Sequence, residues 1–149
     1  MNGFNPMRHN CESQGCFNLN RRPKIEVFSE CFPRKIAMAD VDGVVEMGGR
    51  FLFLEWKTPD APISFGGKLT LSSFSRIPGS IAIAAWGDAK TMEVCKLMLW
   101  CGGRGYESPY LPSLEVLKQW MERWASFADK GQEFFACDIF HSQKQICHY

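Results

Sequence analysis

The chain has 149 residues, of which 46% are hydrophobic, 22% charged and 13% aromatic; this is the profile of one compact globular domain and excludes disorder and collagen-like architecture. A chain of this size hides roughly 68–70% of the surface its unfolded form exposes, so it can hold a core without a disulfide framework. The formal charge of +1, from 17 basic and 16 acidic residues, excludes a generally basic protein that coats nucleic acid, and any such binding has to be local.

Residues 1–23 are rich in Asn, Arg, Gly and Cys, show no sustained period, and read as an irregular basic arm. They precede a single domain over 24–149, with a core at 24–100 and a helical C-terminal part at 101–149. Residues 1–39 carry Arg8, Arg21, Arg22, Lys24, Arg34 and Lys35 against Glu12, Glu26 and Glu30, which makes this stretch +3 and leaves −2 for the rest. A basic arm beside an acidic body suits a protein that holds phosphates with one part and metal with another.

From Lys24 to Phe32 the apolar residues Ile25, Val27, Phe28 and Phe32 predict a short helix closed by Pro33. The runs Asp42–Met47 and Phe51–Lys57, joined by Gly48-Gly49-Arg50, predict a β-hairpin. Phe51, Leu52, Phe53 and Leu54 are consecutive and apolar, the signature of a strand buried on both faces. After the loop Thr58–Pro62, Gly67–Arg76 predicts a helix closed near Pro78-Gly79. Ser80–Trp86 predicts a second buried strand, Met92–Trp100 a further strand, and Cys101–Gly105 a turn. Leu114, Leu117, Trp120, Met121 and Trp124 recur at spacings of three and four, with Ser113 as a start signal and Gly131 beyond the end, and predict a helix. At that spacing Trp120 and Trp124 are core residues rather than base-stacking platforms. The resulting fold class is α/β, a central mixed sheet flanked by helices.

The opening MNGFNPMRHN has no apolar signal core, and no stretch of 18 apolar residues occurs, so a cytoplasmic protein with reduced thiols and no membrane span is expected. The seven cysteines are Cys11, Cys16, Cys31, Cys95, Cys101, Cys137 and Cys147. His9, Cys11, Cys16, Cys31, Cys147 and His148 do not form the paired knuckles of a zinc site, and structural Zn²⁺ is not expected.

The chemistry-bearing residues lie in the hairpin. Asp42 starts one strand, while Glu55-Trp56-Lys57 ends its partner. Residues i and i+2 of a strand share a face, so the Glu55 carboxylate and the Lys57 ammonium point the same way, and a short turn lets Asp42 lie beside Glu55. Two carboxylates and a lysine suit phosphodiester hydrolysis. Hard oxygen ligands take Mg²⁺ or Mn²⁺, the Trp56 carbonyl can complete the inner shell, and the lysine positions or deprotonates water. The bland alternative is a turn-capping Asp42 beside a surface Glu55–Lys57 ion pair.

Asp40-Val41-Asp42-Gly43 followed by Gly49-Arg50-Phe51-Leu52-Phe53-Leu54-Glu55-Trp56-Lys57 resembles the PD-(D/E)xK nuclease superfamily, which includes Holliday-junction resolvases, many restriction enzymes and the VRR-NUC type. The resemblance covers about residues 24–88. It implies a restriction-endonuclease-like core, αβββαβ, in a metal-dependent enzyme that cuts DNA, with Asp42 and Glu55 binding metal and Lys57 assisting the attacking water. It further implies Asp40 as an alternative or auxiliary ligand, Glu26 as a ligand on the first helix with Glu30 in reserve, and a homodimer. The small size and the arm are similar to phage-encoded nucleases. Val41 stands where the superfamily's name has proline, and Gly66-Gly67-Lys68 where many relatives carry Gly-Gln; Lys68 takes the role of a phosphate contact at a helix start. Arg21, Arg22, Lys24, Arg34 and Lys35 are expected to grip the DNA backbone. Two other classes compete: a catalytically inactive nuclease-fold protein that binds nucleic acid or a host defence protein, and a structural partner domain marked by a large exposed apolar patch.

Overall fold

A computed structural model describes residues 23–141, and the chain divides into two compact units, Met1–Asp40 and Val41–Tyr149. In the first unit, Ile25–Cys31 forms a 3-10 helix and Pro33–Lys35 a second short turn of the same kind. The expected helix is therefore present but of the tighter type, and none of its residues is buried. Seven residues with β-branched Ile25 and Val27, stopped at Pro33, are too few for an α-helix to sustain itself without a packed face.

The second unit is a five-stranded mixed sheet in the order β1-β2-β3-β4-β5. Its strands are β1 (Gly43–Met47), β2 (Arg50–Lys57), β3 (Ile81–Gly87), β4 (Val94–Cys101) and β5 (Arg104–Glu107). Only β2 and β3 are parallel, joined through α1 (Phe65–Phe74); the other pairs are antiparallel. The helices α2 (Leu114–Lys130) and α3 (Ala136–Phe140) follow. An αβββαβ core places three strands ahead of its second helix; among the described residues, two precede α1.

Local chemistry explains most boundaries. Gly48 and Gly49 have φ of +61° and +82°, the left-handed pair that a two-residue hairpin turn requires. Arg50 thus pairs with Met47 inside the ladder instead of lying in the turn. Ser64 Oγ accepts from the Gly67 N–H at 3.0 Å, which caps α1 and starts it two residues before the expected Gly67. Ser113 caps α2 in the same way, and Gly131, at φ +63°, ends it. The turn expected at Cys101–Gly105 narrows to Gly102-Gly103, so Arg104 and Gly105 open β5.

Every residue of β3 is buried. On one face Ile81, Ile83 and Ala85 pack with Leu97, Leu99, Trp120, Trp124 and Ile139. On the other, Ala82, Ala84 and Trp86 pack with Phe53, Trp100 and Leu71 of α1. Trp120 and Trp124 are 0% and 1% exposed, the core positions their helical spacing predicts. No helix among the described residues is long and apolar enough to cross a membrane.

Cys31, Cys95 and Cys101 are free thiols, whereas Cys137 is disulfide-bonded, which corrects the expectation of reduced thiols throughout. His9, Cys11, Cys16, Cys147 and His148 lie outside the described residues. Burial, reinforced by the Asp138 carboxylate, pushes the Cys101 thiol up from 9.0 to about 11. The fold therefore keeps this proton when the unfolded chain has lost it. The stabilisation is complete below pH 9 and declines as pH rises from there towards 11. Denaturant titrations across that window are expected to show the decline, and Cys101→Ala to remove it. Near neutral pH, iodoacetamide should label the exposed Cys31 and Cys95 ahead of Cys101.

Candidate active site

The β1–β2 ladder places Gly43 opposite Leu54, so one step further along the same register Asp42 stands across from Glu55. The Trp56 backbone N–H donates to Asp42 Oδ2 at 2.6 Å, which pins this carboxylate to β2 between Glu55 and Lys57. Alternation along β2 turns Leu52, Leu54 and Trp56 towards the core under α2. Phe51 and Phe53 face α1, and Glu55 and Lys57 continue their row. Lys57 Nζ lies 3.2 Å from Glu55 Oε1, with the two side chains 29% and 27% exposed. The hairpin thus gathers Asp42, Glu55, the Trp56 main chain and Lys57 at one end of the sheet.

The parallel ladder sets Glu55 beside Ala84 and Lys57 beside Trp86. The Trp86 indole N–H donates to the Ala61 carbonyl at 2.7 Å, clamping the loop that leads into α1 against the C-terminal end of β3. The helix therefore begins towards the end of the sheet that holds Glu55 and Lys57. Lys68 lies in its first turns, with its backbone N–H on the Ser64 carbonyl and its side chain exposed. A Cβ on Gly67 would come within 3.0 Å of Ile63 Cγ2 and 3.2 Å of Ser64 Oγ. A glycine at position 67 thus leaves room for the helix cap.

Lys96 escaped the sequence reading. Its Nζ lies 4.8 Å from the centre of the Trp86 ring and 3.9 Å from Glu107 Oε1, adding a cation at the same end of the sheet. The signal for it was a lysine interrupting the otherwise apolar strand Val94–Cys101.

The remaining predicted residues are not part of this cluster's element set. Glu26 sits in the first turn of the 3-10 helix Ile25–Cys31, and Asp40 closes the first unit. Lys24, Arg34 and Lys35 also belong to that unit and are exposed. Arg21 and Arg22 lie outside the described residues. No group of three or more His, Cys, Asp or Glu able to hold a metal ion occurs among the described residues. Asp42 and Glu55 supply two hard carboxylates, and Trp56 a main-chain carbonyl. That donor set fits Mg²⁺, which keeps several waters and is commonly held by one or two carboxylates together with substrate phosphate. Compared with protein-family models, curated proteins and solved structures, the chain matches none.

Proposed function

We propose that the protein is a metal-dependent endonuclease of the PD-(D/E)xK type that hydrolyses DNA phosphodiester bonds. The observation that carries this reading is the Asp42 carboxylate held on the Trp56 N–H, between a glutamate and a lysine that share one face of the strand. A turn-capping aspartate has no need of that partner, because the hairpin turn lies at the other end of β1.

Asp42 and Glu55, with the Trp56 carbonyl, would hold Mg²⁺ or Mn²⁺. The ion would supply water activation and neutralise charge developing on the phosphate. The Lys57 side chain lies beside Glu55, where it can orient the attacking water and stabilise charge on the phosphate. Lys68 and Lys96 are proposed to contact phosphates flanking the scissile bond. Lys24, Arg34 and Lys35, with Arg21 and Arg22, are proposed to grip the DNA backbone, and the active form to be a homodimer.

The test is incubation with linear, supercoiled, single-stranded and branched DNA, with Mg²⁺ or Mn²⁺ and with EDTA, beside Asp42→Ala and Lys57→Ala. Metal-dependent cleavage lost in both variants supports the reading. Cleavage that survives either substitution sinks the site, and absence of cleavage on every substrate leaves the non-catalytic nuclease-fold binder in its place.

A further inference from the structure

A cavity of about 650 Å³ opens at the end of the sheet opposite Glu55 and Lys57, between the starts of β2 and β5 and the loop after α1. Its size falls within the roughly 300–1,000 Å³ of small-molecule sites. Three arginines from three separate segments line it, Arg50, Arg76 and Arg104, against the single carboxylate of Glu133. Among the described residues none of the three is ion-paired.

The arginines are held in place. A Cβ on Gly79 would sit 2.6 Å from Arg50 Cδ, and one on Gly103 would sit 2.4 Å from Arg76 Nε. Both glycines are left-handed, at φ +73° and +86°, so each leaves a slot in which an arginine stem lies flat on the backbone. Arg50 also donates to the Gln132 and Phe127 carbonyls, and Arg104 lies 5.5 Å from the centre of the Tyr106 ring. Three arginines face a single lining carboxylate, Glu133, so the wall carries a net positive charge that attracts a dianion. Part of the wall is apolar, with Ile77, Pro78 and Phe135, a residue that is 69% exposed. A flat aromatic group has a surface there to stack on.

We propose that this cavity binds a phosphate monoester joined to a planar base, as in a 5′-mononucleotide or the 5′-phosphorylated end of a strand. Arg76 and Arg104 take the phosphate oxygens, and Phe135 with Ile77 and Pro78 takes the base. The inference does not rest on the nuclease reading, since neither Asp42, Glu55 nor Lys57 lines the cavity.

The experiment is calorimetric titration of the full chain with adenosine 5′-monophosphate, adenosine, inorganic phosphate, and a short oligonucleotide carrying either a 5′-phosphate or a 5′-hydroxyl. The monophosphate is expected to bind saturably and at least about tenfold more tightly than adenosine or inorganic phosphate. Arg76→Ala and Arg104→Ala are each expected to weaken it by about tenfold or more, and Asp42→Asn to leave it unchanged. Circular dichroism verifies that the variants fold; Arg50 is left intact because it ties down two backbone carbonyls. The 5′-phosphorylated oligonucleotide binding more tightly than the mononucleotide and the 5′-hydroxyl strand assigns a strand end as the source, and the reverse order assigns a free nucleotide. Either order supports the site. Absence of saturable binding by any phosphorylated probe, adenosine binding as tightly as its monophosphate, or binding undiminished in an Arg76→Ala/Arg104→Ala double variant would overturn it.

Discussion

If the proposed nuclease function holds, Glu55→Gln is expected to lower metal-dependent DNA cleavage by about 100-fold or more. The unfolding free energy should change by less than about 1 kcal/mol. Glutamine keeps the shape of the side chain and one acceptor oxygen but removes the negative charge that a hard cation requires. It also leaves Lys57, whose Nζ is 3.2 Å from Glu55 Oε1, without this anion. Both side chains retain more than a quarter of their exposure, so water replaces most of what the pair loses and stability moves little. A merely structural ion pair would give the same small stability change with cleavage intact. Calorimetry with Mn²⁺ gives a second readout, in which Glu55→Gln should bind the ion more weakly than the parent protein; equal binding and equal cleavage would remove Glu55 from the site.

Trp120→Ala is expected to cost about 3–5 kcal/mol of folding stability. Trp120 is fully buried, lies edge-on to Phe140 with ring centres 5.1 Å apart, and packs in the same cluster as Ile81, Ile83 and Leu97. Its removal leaves a void beneath a strand with no exposed residue to relax into it. The indole N–H has no hydrogen-bond partner, so Trp120→Phe removes an unsatisfied donor along with part of the volume. It should cost less than half as much as the alanine variant. Denaturant midpoints with unchanged slopes measure both; a loss under about 1 kcal/mol in Trp120→Ala would show that this face of the sheet does not depend on the ring.

The hairpin was readable from sequence because its two apolar runs flank a pair of glycines; its register was not, since Arg50 pairs with Met47 instead of lying in the turn, and it is this register that sets Asp42 across from Glu55. The Phe51–Leu54 run was readable because β2 lies between β1 and β3 and is covered on both sides. Where tertiary contacts decide, the sequence is silent. β5 has four residues, three of them exposed, and α3 has five; neither is long enough to display a period. Arg50 and Arg104 looked like turn residues, and the cavity they share with Arg76 exists only because the sheet brings three distant segments together. Lys96 is similar: its role is set by Trp86, its ladder partner on β3.

The parallel pairing of β2 with β3 also has a consequence for how the chain assembles. The hairpins β1–β2 and β4–β5 close over two residues each, at Gly48-Gly49 and Gly102-Gly103. The bond from the Phe51 N–H to Ser80 Oγ, at the foot of the parallel pair, spans 29 residues. Chain entropy makes the hairpins inexpensive to close and the crossover costly. Closing the segment that carries α1 is therefore the costly step in chain entropy, and it brings Arg76 to the arginine end of the sheet, whereas the first hairpin alone gathers Asp42, Glu55 and Lys57.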